Sequence, residues 1–191
     1  MQIRLAKLRD CTDILRLYAQ YIDTAITFEY TLPSFSEFFD RMQDILEHYP
    51  YLAAVEDGKL LGYAYAHRAQ ERAAYQWNAE LSIYLDRGCT GHGYGRALYS
   101  VLLELLRLQG VRTAYGVVTM PNEKSEHLHL ALGFRKSAVF PHSGYKNGAW
   151  HDVAWFEKEI LPHTSPPSPV ISFPEIAQTE DVKQILRAGT C

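Results

Sequence analysis

The chain has 191 residues, 47% hydrophobic and 21% charged, with a formal net charge of −3 from 19 Lys and Arg against 22 Asp and Glu. That length and balance suit one folded domain with an ample core and exclude the basic field that nucleic acid or an anionic membrane surface demands. Cys11, Cys89 and Cys191 are odd in number and scattered, which argues against a disulfide framework and a metal site and fits a reducing compartment. Arg4, Lys7 and Arg9 interrupt the start of the chain, against a secretory leader. Glu104 and Arg107 break the most apolar stretch well short of the about 20 residues that a membrane span needs. A cytoplasmic protein with a small-molecule partner is expected, with no nucleic acid and no membrane.

In chain order, Gln2 to Ala6 reads as a strand, and Asp10 or Thr12 caps a helix with apolar Ile14, Leu15, Leu17, Tyr18, Tyr21 and Ile22 at helical spacing. Pro33 and Ser34 break the chain before a second helix, Ser36 to His48. Tyr51 to Val55 and Leu60 to Ala66 form two strands about an Asp57-Gly58 turn. From Asn78 to Leu85, Ala79, Leu81, Ile83 and Leu85 alternate with Glu80, Ser82 and Tyr84, the period of a strand with two distinct faces. A loop with Gly91, Gly93 and Gly95 then runs into a helix with Leu98, Val101, Leu102, Leu105 and Leu106 inward, stopped at Gly110. Beyond it come a strand near Thr113 to Val118, a helix near Glu123 to Leu132, and strands near Arg135 to Phe140 and Trp150 to Lys158. Residues 163–169 make a proline-rich linker, and Pro174 to Ala188 suits one amphipathic helix outside the main domain. The expected division is thus a domain over residues 1–161 and a tail over 162–191, in an α/β (α+β) chain.

Strand, glycine-rich loop, long helix is an arrangement in which amide N–H groups and a helix N-terminus converge on an anion. The G-x-G-x-G spacing fits neither the dinucleotide fingerprint nor the Walker loop, and by itself it suits a plain glycine-rich turn equally well. Thr90-x-x-Gly93-x-Gly95 nevertheless resembles the Gln/Arg-x-x-Gly-x-Gly/Ala pyrophosphate loop of the GNAT acetyltransferases, with Thr90 in place of the usual Gln or Arg. Pro121-Asn122 followed by Leu128-His129-Leu130-Ala131-Leu132-Gly133-Phe134 is similar to that family's Asn…Tyr-x-x-Leu-Gly-Phe segment. Tyr49 to Leu52, Arg72 to Glu80 and Gly144 to Val153 resemble the phosphinothricin acetyltransferase group more narrowly.

The resemblance implies a mixed, largely antiparallel sheet splayed at its centre and flanked by helices. It further implies acetyl-CoA as cosubstrate, held by Ile83, Tyr84, Leu85, Gly91, His92, Gly93, Tyr94, Gly95, Arg96, Asn122 and Ser125. It suggests the backbone N–H near Ile83 as donor to the developing oxyanion, a homodimer, and a small anionic amino acid as acceptor. An amine attacks a thioester only when neutral, so a base is wanted, and Glu80 is the candidate; a strand carboxylate that merely attracts a cationic amine is the alternative. His129 stands where many family members carry a tyrosine acid and is the candidate donor to the departing thiolate. Arg72, Tyr75, Trp77, Lys146 and His151 are expected around the acceptor, an Arg clamp on carboxylate or phosphinate walled by rings; simple core packing serves the aromatics as well. Direct transfer is expected, Cys89 carrying no cue for activation.

Overall fold

Local signals set the ends of most elements. Ser34 and Glu37 exchange hydrogen bonds as a capping box at the start of one helix, the Ser34 N–H reaching the Glu37 carboxylate at 2.8 Å. Gly110, at φ 90°, ends another in the left-handed conformation. The structure is a computed structural model and describes residues 1–190; Cys191 lies outside the described residues. In chain order the elements are β1 Gln2–Leu5, α1 Cys11–Ala19, α2 Phe35–Leu46, β2 Tyr51–Glu56, β3 Lys59–Arg68 and β4 Asn78–Leu85. There follow α3 Tyr94–Gln109, β5 Thr113–Thr119, α4 Glu123–Ala131, β6 Arg135–Lys146, β7 Ala149–Glu159, α5 Phe173–Ile176 and α6 Glu180–Ala188.

Seven strands form one sheet in the order β1-β2-β3-β4-β5-β7-β6. β4 and β5 pair in parallel and the remaining described pairs are antiparallel. Alternation sends Ala79 and Leu81 to one face, where they meet Leu98, Leu102, Leu105 and Leu106 of α3 in a core shared with Ala64, Ala66, Ala114 and Phe156. The short alanine side chains on the strands let the helix lie close to the sheet. On the opposite face Ile14, Leu17 and Tyr18 of α1 and Phe38 and Met42 of α2 cover Tyr51, Ala53 and Tyr63.

Two expectations about the C-terminal part are corrected. The strand expected to stop at Phe140 runs on to Lys146, its ladder with β7 shifting register between Phe140 and Gly144; Pro141 and the positive φ of His142 mark an irregularity that a period-two pattern does not reveal. The segment expected as one helix over Pro174 to Ala188 outside the domain is two helices docked on it. Ser172 and Thr179 open α5 and α6 in turn. Phe173 and Val182, 4% and 0% exposed, sit in the same core as α3, so the boundary expected at residue 161 does not divide the core.

Polar ties accompany the packing. The buried Gln109 amide donates to the carbonyls of His48 and Ile171. The Ser172 hydroxyl donates to Glu47 O at 2.7 Å, and the Thr190 hydroxyl accepts the Ile3 N–H at 3.3 Å. Val182→Ala removes about two methylene equivalents from this contact and is expected to cost about 1.5 kcal/mol, lowering Tm by about 3–6 °C in a thermal melt.

Candidate active site

The β4–β5 ladder stops partway along both strands. Its pairs run from Asn78 with Thr113 to Leu81 with Gly116 and no further. β4 keeps its partnership with β3 as far as Leu85, and β5 keeps its own with β7 as far as Thr119. The strands therefore part beyond Leu81 and Gly116, leaving a cleft open to solvent and lined in part by Glu80, Ile83, Tyr84, Tyr99, Asn122 and His129. Ser82, Ser125 and Thr119 line it as well, and Ile26 reaches it from the segment between α1 and α2.

At one end of the cleft the glycine-rich loop meets α3. Gly91 and Gly93 adopt φ of 86° and 82°, which favour glycine, and no atom lies within 4 Å of where a Cβ would stand on either. Gly93 is the N-cap of α3 and no side chain caps the helix there. The amides of Tyr94, Gly95 and Arg96 open the helix, where N–H groups lack intrahelical partners. Gly95 packs its Cα side toward Leu85, Ile83 and Leu128. This seats the helix start beside the end of β4. The ring of His92 stacks on Tyr94 with centroids 5.7 Å apart.

Glu80 lies inside the cleft, its side chain 23% exposed. Burial pushes its carboxyl above the ordinary range, and nearby His67 partly offsets this. Its face of the sheet is paved with tyrosines: Tyr51 stacks on Tyr65 at 4.8 Å, and Tyr63 stacks on Tyr84 at 5.4 Å. Burial drives the hydroxyls of Tyr51, Tyr63, Tyr65 and Tyr84 further from ionisation. This floor is consequently neutral, and a carboxylate set in it has little water to share its charge.

His129 reaches the cleft from α4 on the other face. It is 2% exposed and packed against Tyr99, Phe134 and Phe156 with ring centroids 5.1–5.6 Å away. Its Nδ1 donates to the Ser125 carbonyl at 2.7 Å, while Nε2 is buried with no hydrogen-bond partner among the described residues. That nitrogen lies directly over Gly116, where a Cβ would overlap the ring. Burial lowers the proton affinity of His129, against a smaller opposing effect of the Ser125 carbonyl. The lowered proton affinity favours the neutral ring, with the proton on Nδ1 and Nε2 open as an acceptor.

The residues expected around the acceptor divide. Arg72 caps the short turn Ala73–Tyr75 on the surface, and Tyr75 is 43% exposed there. Trp77 spends its indole N–H on Ser168 O at 2.7 Å, so it holds the linker. Lys146 is 2% exposed, and its ammonium donates to the carbonyls of Ile22 and Thr27 at 2.7 and 2.6 Å. It is a buried tie for the segment between α1 and α2, with its ammonium occupied by those carbonyls. His151 hydrogen-bonds the Lys146 carbonyl at 3.1 Å, with its ring 6.3 Å from Phe28. None of these five lines the cleft between β4 and β5. Sequence reasoning passed over Gly116, Tyr99, Ile26 and His67; only Gly116 carried a signal, a glycine inside a strand that marks a close approach.

Comparison with known proteins gives the same outline. A family model described as an acetyltransferase (GNAT) domain matches residues 3–155. A phosphinothricin N-acetyltransferase of Streptomyces viridochromogenes is 33% identical over 172 residues, 89% of this chain and 93% of that protein. An L-methionine sulfoximine/L-methionine sulfone acetyltransferase of Salmonella typhimurium is 29% identical over 87% of this chain and 98% of that protein. The crystal structure of a GNAT superfamily phosphinothricin acetyltransferase from Sinorhizobium meliloti in complex with AcCoA superposes with a TM-score of 0.83 at 31% identity, covering 90% of this chain and 97% of that one. With a parted β4–β5 ladder, a glycine-opened helix at its mouth and a family model spanning most of its length, the chain belongs to the GNAT acetyltransferase family.

Proposed function

We propose that this enzyme transfers the acetyl group of acetyl-CoA directly to the primary amine of a small amino-acid-like acceptor of the phosphinothricin or methionine sulfoximine type. The observation that carries the reading is the cleft with Glu80 within it and the uncapped start of α3 beside it. In this reading the amides of Tyr94, Gly95 and Arg96, with the open backbone of Gly91 and Gly93, receive the pyrophosphate. Main-chain groups of Ile83 to Leu85, left without a β5 partner, face the pantetheine arm, and the N–H near Ile83 supports the oxyanion. Asn122 and Ser125 flank the thiol end of the cleft.

Glu80 takes the proton of the ammonium. The freed nitrogen lone pair attacks the acetyl carbon, the C–S bond breaks, and the second proton passes from the nitrogen to the sulfur, so that the amide is neutral and CoA departs as the thiol. A carboxyl pushed up by burial suits this, because a base works best when its proton affinity lies near the working pH. His129 carries that proton: its Nδ1 is held by the Ser125 carbonyl, and Nε2, without a partner among the described residues, takes the proton from the nitrogen and gives it to the departing sulfur. Arg72 and Tyr75, exposed on their turn, remain available to an anionic acceptor group. The same reading gives a cytoplasmic homodimer. Val139, Phe140, Tyr145 and Trp150, between 48% and 61% exposed on the β6–β7 hairpin, are consistent with a covered face in such a dimer.

The test is release of free CoA thiol with acetyl-CoA and a panel of amines. Turnover is expected with phosphinothricin and methionine sulfoximine, and little with polyamines or lysine. Tight acetyl-CoA binding without release for any amine would instead identify a non-catalytic acyl-CoA sensor.

A further inference from the structure

His67 stands directly opposite Glu80 in the β3–β4 ladder. Opposed residues of an antiparallel pair share a face, and here Nε2 of His67 lies 3.8 Å from Oε1 of Glu80. The ring is held by its other nitrogen: Nδ1 donates to the Arg68 carbonyl at 2.9 Å. Nε2 is therefore the nitrogen left to face the carboxylate. His67 is also the wetter partner, with 36% of its side chain exposed against 23% for Glu80.

We propose that His67 is a positioning residue for Glu80: its imidazolium, fixed by the Arg68 carbonyl, keeps the buried carboxylate ionised and ready to accept the proton of the amine. The proposal rests on the reading of Glu80 as the base. A carboxylate on a floor of stacked tyrosine rings is short of solvation, and a cation on the adjacent strand restores part of it. The other groups around the pair leave this task to His67. Tyr65 on β3, Tyr99 on α3 and Tyr115 on β5 are pushed up by burial and stay protonated in the working range. Glu29, from the segment before α2, is ion-paired with Arg41 of α2. Arg68, next along β3, is exposed and faces Tyr49.

The experiment is a pH profile of kcat/KM for CoA release with methionine sulfoximine, run on the parent, His67→Gln, His67→Lys and Glu80→Gln. Loss of the cation in His67→Gln is expected to move the acidic limb upward by about one pH unit. That gives roughly a fivefold to tenfold loss near pH 6, fading by about pH 9. His67→Lys restores a positive charge and keeps the limb at or below that of the parent. An unmoved limb in His67→Gln, or an equal loss at every pH in both His67 variants, overturns the proposal while Glu80→Gln remains inactive. If Glu80→Gln keeps the rate and the limb of the parent, the assignment of the base itself falls, whatever His67 does.

Discussion

Glu80→Gln is expected to lower kcat by about 10²- to 10⁴-fold with KM for acetyl-CoA unchanged, and to abolish the acidic limb of the pH–rate profile. The amide keeps the shape of the side chain and its place in the β4 ladder, so the carrier still binds; what is lost is the acceptor for the ammonium proton. The sign of the pH dependence follows from burial. Because the folded environment raises the Glu80 carboxyl above its ordinary range, the group is protonated and idle at acid pH and becomes competent as pH rises through that raised value. Stability runs the other way. A carboxyl raised on folding favours the fold below its unfolded value and loses that contribution as pH rises through the folded one. The thermal stability of Glu80→Gln relative to the parent is therefore expected to improve from acid to mildly alkaline pH. A variant with full turnover across the range would sink the assignment, and a falling relative Tm at alkaline pH would mean that the carboxylate is stabilised where it sits.

Gly116→Ala is expected to disturb both stability and rate. The added Cβ would overlap the His129 ring, and that ring has no room to retreat between Tyr99, Phe134 and Phe156. Overpacking of this kind costs about 1–3 kcal/mol, or a fall in Tm of about 4–8 °C for a mid-range cost. Displacing a ring at the end of the β4–β5 ladder by as little as an ångström is expected to cost about 10²-fold in kcat/KM. Combining Gly116→Ala with His129→Ala separates the cause: removal of the ring opens the space that the methyl needs, so the double variant should be more stable than the sum of the singles predicts. Simple additivity would show that the methyl is resisted by something other than His129.

The parts of this site that could be read from sequence are those written in local pattern. Alternation placed Glu80, Ser82 and Tyr84 on one face of β4, and the strand spans Asn78–Leu85 as the pattern implied. Glycines at 91, 93 and 95 marked a loop running into a helix, which begins at Tyr94. What escaped depends on residues far apart in the chain. The Lys146 ammonium meets carbonyls 119 and 124 positions away, and Trp77 meets one 91 positions away. Read locally, a lysine and a tryptophan in motifs that resemble a substrate-binding family pointed to the acceptor. The partners that occupy them are supplied only by the fold. The extension of β6 was hidden for a different reason: Pro141 and His142 interrupt the alternation, and Gly144 is tolerated in the strand because Phe28 fills the space over it. Gly116 was legible as an anomaly, and its meaning required His129 to be placed above it.

The docked tail bears on the order in which the molecule is completed. Gly189 lies where a Cβ would overlap Val101 and also approach Ile3, and Thr190 closes onto the Ile3 amide across 187 positions. β1 has β2 on one side, and its contact with the tail closes only once the residues around Thr190 are in place. Contacts of such long sequence separation form late and slow folding. A chain clipped within its last dozen residues should thus emerge with a loosened amino-terminal strand, although the cut lies nowhere near it in sequence.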